Sequence, residues 1–126
     1  MKEKLNSLIK LLLDFHKRLL DLERGIYEKK NGPISNNHEY FQLVVNHDDF
    51  RWLRTLSEII TSLDLESENP ELDLNRIKVL SKNIENLFIA DNEADFNKRY
   101  RYFCNQDADI LELENKILIN TLDISK

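Results

Sequence analysis

Turn-forming residues are scarce in this 126-residue chain, which has two glycines and two prolines. A β-sandwich or barrel needs a turn about every 8–12 residues, so the all-β class is excluded and a few long helices remain. A single cysteine, Cys104, permits no intrachain disulfide and suits a reducing compartment. No apolar run approaches the roughly 18–20 residues of a membrane span. The N-terminal "MKEKLNSLIKLLLDF" is interrupted by Lys10 and has no small-residue cleavage site, so it does not read as a secretory signal. An excess of basic charge is also missing. Lys and Arg number 18 against 23 Asp and Glu, a formal net charge of −5, which argues against free nucleic acid as a partner. These absences lead to the expectation of one soluble, cytoplasmic domain spanning residues 1–126, with no membrane span.

What is present is helical periodicity. Leu5, Leu8, Leu12, Phe15, Leu19, Leu22 and Ile26 alternate spacings of three and four, the seam of a heptad helix. Ile9, Leu13, Leu20 and Tyr27 widen the seam into a bundle-type stripe. "KKNGP" marks the stop, with Asn31 or Gly32 as the left-handed cap before Pro33. Asn36 with Glu39 forms a capping-box pattern for a short second helix that turns Tyr40, Phe41, Val44 and Val45 inward. Asp48 or Asp49 is the expected cap of a third helix, whose inner side is Trp52, Leu53, Leu56, Ile59, Ile60 and Leu63. Asn69 and Pro70 read as the cap and first residue of a fourth helix reaching about Ala90, with Leu74, Ile77, Leu80, Ile84, Leu87 and Phe88 inward. "DNEAD" reads as the next break. The last helix repeats apolar residues every seven positions, at Phe96, Phe103, Ile110, Ile117 and Ile124, with Tyr100, Leu111 and Leu118 on the same face. The expected fold is all-α, an up-and-down helical bundle of four main helices plus one short helix.

Charge is unevenly distributed. Residues 1–30 carry eight Lys/Arg against five Asp/Glu, and residues 64–95 three against nine; the expectation is that these segments attract each other within the fold.

Four polar residues interrupt the apolar stripes. At about 100° per residue, His16 and Glu23 fall within about 20° of the middle of the first helix's stripe. Asp107 and Glu114 fall equally close to the line through Phe96 and Phe103. Antiparallel packing of the two long helices would set His16 against Glu114 and Glu23 against Asp107. One reading of His16, Glu23, Asp107 and Glu114 is a divalent-metal site between facing helices, as in dimetal carboxylate bundles. The Glu-x-x-His pair those centres use is missing. The favoured reading is a satisfied buried polar network, with Tyr27 or Tyr100 offering a hydroxyl to Glu23. A dimer seam on one of these faces is a third reading, and Glu23 as a base in an apolar pocket a fourth.

Other stretches carry less. "NKRYRYF" interleaves basic and aromatic residues as single-strand binders do, but Tyr100 and Phe103 turn inward there while Lys98 and Arg101 turn outward. "NHDD" reads as a helix cap rather than a metal loop. Cys104 reads as an inert small hydrophobe. No Gly-rich phosphate loop, nucleophile elbow or Cys/His metal spacing is present, so no catalytic or cofactor-binding residue is assigned.

"HKRLLDLERGIYEKKNGPIS" followed by "DDFRWLRTLSEIITSLD" resembles a family of small, uncharacterised bacterial helical proteins. They share an early His-Lys…Glu-Arg helix, a Gly-Pro turn and an aromatic-Trp-Leu-Arg segment closing on an Asp. The resemblance covers about residues 16–64 and marks His16, Glu23, Arg24, Trp52, Arg54 and Asp64. Thr55 departs from it, standing where the pattern has proline. It implies a bacterial, helical, cytosolic protein and brings no activity with it. The expectation from all these features is a small non-catalytic helical module that binds another protein or itself. A metal-binding bundle is the alternative.

Overall fold

The computed structural model describes residues 1–89 and 95–125, and these form six α-helices and one 3₁₀ segment with no strand among them. The helices are α1 (Lys2–Asn31), α2 (Asn37–Asn46), α3 (Arg54–Ser67), α4 (Leu74–Leu87), α5 (Asp95–Cys104) and α6 (Ala108–Ile124). The 3₁₀ segment Asp48–Leu53 leads directly into α3.

α1 ends where its sequence signals a stop. Gly32 takes φ 86°, a left-handed conformation that costs a residue without Cβ nothing, and its N–H bonds Glu28 O at 2.8 Å. Glu28 then holds the turn, its carboxylate accepting from Arg24 Nε and from the Ile34 N–H. α2 starts as its pattern predicts. Asn36 Oδ1 accepts from the Glu39 N–H, and Glu39 accepts in return from Ser35 N.

α1 lies beside α3 and α6, and α4 completes the square beside α3 and α6. His16 meets Ser57 and Glu23 meets Trp52, so α1 and α3 are antiparallel. Lys4 meets Asp123 and Arg18 meets Asp107, so α1 and α6 are antiparallel too. The core between the four helices is Leu5, Leu8, Leu12, Phe15 and Leu19 of α1 against Leu56, Ile60 and Leu63, then Ile77, Leu80 and Ile84, then Ile110, Ile117 and Ile124. Burying one such side chain stabilises the fold by about 1.5–3 kcal/mol. α5 closes one end with Phe96, Tyr100 and Phe103, which meet Phe15, Trp52 and Phe88 in a connected aromatic cluster.

Several boundaries and faces differ from the expectation. The last helix is two helices. Residues 105–107 interrupt it, and Asp107 caps α6 by accepting from the Asp109 N–H. α4 begins at Leu74 rather than Pro70, because Asp73 accepts from both Asn75 N and Arg76 N; Asn69 caps only a local turn at Glu71. His47, not Asp48 or Asp49, caps the 3₁₀ segment through Nδ1. α2 buries no residue, and Phe41 and Val45 are exposed, because it covers the 3₁₀ segment rather than entering the bundle. Leu13, Leu74 and Leu111 are exposed as well. The break expected at "DNEAD" lies outside the described residues, except that Asp95 opens α5, and α4 stops at Leu87, short of the expected end at about Ala90. The basic α1 directs Lys4 and Arg18 to Asp123, Asp107 and Asp109, all outside the acidic stretch 64–95.

Candidate functional site

Among the described residues the most deeply placed charge is Glu23, 2% exposed on the inner side of α1. A buried carboxylate needs partners, and it has three donors. Trp52 Nε1–H reaches Oε1 at 2.9 Å. The Arg99 guanidinium grips both oxygens, Nε to Oε1 at 2.9 Å and Nη2 to Oε2 at 2.7 Å. This two-pronged geometry is the strongest form of a carboxylate–arginine pair. It ties α1, the 3₁₀ segment and α5 together at one point. Arg99 also lies over the rings of Tyr102 and Phe103, at 4.9 and 5.0 Å, and the bond to Glu23 raises its pKa above the ordinary arginine value.

The expected cross-helix cluster does not assemble. His16 faces Ser57 instead of Glu114, with Nε2 2.8 Å from the hydroxyl. Burial holds its pKa below the usual histidine value. Glu23 faces Trp52 and Arg99 instead of Asp107. Asp107 lies at the α6 N-terminus under Arg18 Nε at 2.7 Å, and that bond holds its carboxyl below the usual aspartate range. Its position follows from the helix break, which removes it from the inner face. Glu114 is half-buried on α6. Among the described residues, no group of three or more His, Cys, Asp or Glu side chains could hold a metal ion.

The other marked residues lie apart. Tyr27 meets the rings of His47 and Phe50 and takes no part at Glu23. Tyr100 is fully buried, and its hydroxyl has no hydrogen-bond partner among the described residues. Burial, with Cys104 and Glu114 close by, drives its ionisation far above the normal range. Burial likewise pushes the Cys104 thiol up, away from the reactive thiolate. Arg54 sends Nη2 to Val45 O at 3.3 Å, and Asp64 is exposed, its carbonyl accepting from Ser67. Arg24 stacks its guanidinium on Tyr40 at 4.4 Å.

Two open grooves adjoin at Trp52. One of about 560 Å³ has Glu23 and Arg99 at its base, with Lys30, Asp49 and Tyr102 around it. The other, about 650 Å³, runs between α3 and α4 past Arg54, Arg76 and Asn83. Their walls mix both signs of charge. Within the first, Arg99 takes both oxygens of Glu23, which is the setting of a neutralised ion pair rather than of a base in an apolar pocket. His16 and Ser57 have the spacing of a base and a nucleophile, yet neither lines these grooves.

Sequence reasoning missed Arg99 and Asn97. Arg99 is three residues after Phe96 and four before Phe103, on the flank of the inward face, so the signal was available. Asn97 is buried and donates Nδ2–H to Leu87 O at 2.9 Å, holding α5 to the end of α4.

A second feature concerns α6. Its inner face, Ile110, Ile117 and Ile124, is buried, yet Leu111, Ile119 and Leu122 are exposed, Ile119 at 67% and Leu122 at 56%. Among the described residues no helix is long and apolar enough to cross a membrane. Comparison with family models, curated proteins and solved structures found no match.

Proposed function

We propose that this protein is a non-catalytic helical module that acts by associating with protein, through the outer face of α6. One observation carries the reading. The outer side of α6 carries Leu111, Ile119 and Leu122 in solvent, beside the exposed polar residues Glu112, Asn115 and Lys116. Grouped apolar side chains on a surface mark an interaction site more often than single ones do. The two buried heptad seams are consumed within the fold, so they do not supply this surface. The Glu23–Arg99–Trp52 constellation fits the reading as the brace that fixes α5, its carboxylate already engaged by Trp52 and by both prongs of Arg99.

The test uses the intact chain and a variant carrying Ile119→Lys and Leu122→Lys. Both are compared by light scattering of purified protein and by capture from lysate followed by mass spectrometry. Association with a second copy or another protein, lost in the variant, is the expected result. A strict monomer from which wild type and variant retain the same background would overturn it.

A further inference from the structure

We infer that the partner of the α6 face is a second copy of this chain, docked with the two α6 helices antiparallel about a twofold axis. The inference rests on the association reading above and names its occupant.

The spacing of the face suits a twofold partner. Leu111, Asn115, Leu118 and Leu122 follow one another at intervals of four, three and four. They lie about 100–160° around the helix from the buried Ile117 and form one stripe, with Ile119 beside it. The interval pattern reads the same in both directions. A twofold interface requires that if residue i meets j, j meets i. Antiparallel pairing about the stripe's midpoint satisfies this, with Leu111 meeting the second copy's Leu122 and Asn115 meeting its Leu118.

The charges at the rim favour a second copy over an oppositely charged partner. On the outer flank Lys116 Nζ pairs with Glu112 at 3.3 Å, and on neighbouring α4 Lys82 pairs with Glu85 at 3.7 Å. Lys78 and Glu114 add one charge of each sign. The face is therefore neutral although the chain carries −5. Two copies meet there without the repulsion that the rest of the surface would impose. Size sets the strength of the pair. α4 and α6 lie side by side, and helices of 14 and 17 residues present a face roughly 20 Å by 25 Å. That footprint is smaller than the roughly 800 Å² that each partner of a stable pair buries, so the pairing is of the weak, reversible kind.

Sedimentation equilibrium of the full chain from about 1 µM to 1 mM tests the pairing. A monomer–dimer equilibrium is expected, abolished by Ile119→Lys or Leu122→Lys and unchanged by Phe41→Lys on the distant α2. Circular dichroism and melting are expected to stay at wild-type values, since these side chains are exposed. Orientation is read by air oxidation in a Cys104→Ser background. Antiparallel pairing offsets the two copies of residue 115 by about 4.5 Å along the axis and those of residue 111 by about 16 Å. Asn115→Cys is expected to form disulfide-linked dimers readily, and Leu111→Cys at least tenfold more slowly. Equal linkage at both positions overturns the antiparallel arrangement. A monomer at every concentration, or a dimer that survives Ile119→Lys and Leu122→Lys, overturns self-pairing. If that monomer still captures a protein through the intact α6 face, self-pairing fails while the association reading stands; if it captures nothing, both fall.

Discussion

The Trp52 indole donates its N–H to Oε1 of Glu23 across 29 positions of chain, at 2.9 Å. Trp52 also packs its rings on Phe96 and Phe103, so one side chain serves the aromatic cluster and the buried charge together. Trp52→Phe keeps much of the packing and deletes the donor. A hydrogen bond to a charged group contributes about 1.5–3 kcal/mol, and Arg99 still serves Glu23. A loss near the lower end of that range is expected in urea denaturation, with an unchanged m-value.

The Glu23–Arg99 pair has a different signature. Removing one partner of a buried pair costs about 3–5 kcal/mol, because the other charge is left without compensation. Arg99 is 34% exposed, so water takes over part of its solvation and Glu23→Leu is the milder single change, at roughly 2 kcal/mol. Arg99→Met strands a carboxylate that is 2% exposed and is the harsher one. The double variant Glu23→Leu, Arg99→Met is expected to be less destabilised than the sum of the singles by more than about 1 kcal/mol. Strict additivity in this cycle would show that the pair does not act as a unit.

Much of the bundle was legible because apolar periodicity reports packing directly. Phe96, Phe103, Ile110, Ile117 and Ile124 are all buried as their spacing implies. The same period concealed the break between α5 and α6. The interruption takes three residues, close to one helical turn, so the apolar phase is the same on either side. With neither Gly nor Pro there, the only local signal was Asp107 ahead of an apolar run. Partner identity was less accessible. Helical phase placed Glu23 and His16 inward, which holds, but it could not say that the 3₁₀ segment, α3 and α5, rather than α6, supply Trp52, Ser57 and Arg99. Long-range pairing depends on which helices become neighbours, and no single-helix pattern encodes that.

His16 predicts a pH dependence. Burial lowers its folded pKa, so the unfolded chain takes up the proton first as pH falls. The associated stability is fully present above the unfolded value of about 6.5 and is lost progressively as pH drops from there through the folded pKa. Ser57 accompanies His16 in the fold and carries no charge. Urea midpoints for wild type and His16→Gln, measured from pH 7.5 to 5, are expected to converge as pH falls. A gap that stays constant over that window would mean that His16 does not titrate differently in the two states.

Asp107 separates two accounts of the same residue. Within a continuous helix, replacing Asp by Ala would be stabilising, since Ala has the higher helix propensity. As the α6 N-cap, Asp107 accepts from the Asp109 N–H at 2.9 Å and satisfies a donor that has no intrahelical partner. Asp107→Ala then costs about 1 kcal/mol. Asp107→Asn separates the cap from the charge, because Asn caps about as well but removes the anion that Arg18 holds. If capping dominates, stability follows Asp ≈ Asn ≈ Ser, with the Asp107→Ala variant lowest. If the Arg18 pair dominates, Asn falls to the level of Ala, and raising the salt concentration brings wild type down toward both. The ion pair lies at the surface, with Arg18 well exposed, where screening leaves it little net energy. The capping order is therefore the expected one, and thermal melts of the four proteins at low and high salt distinguish it from the alternative.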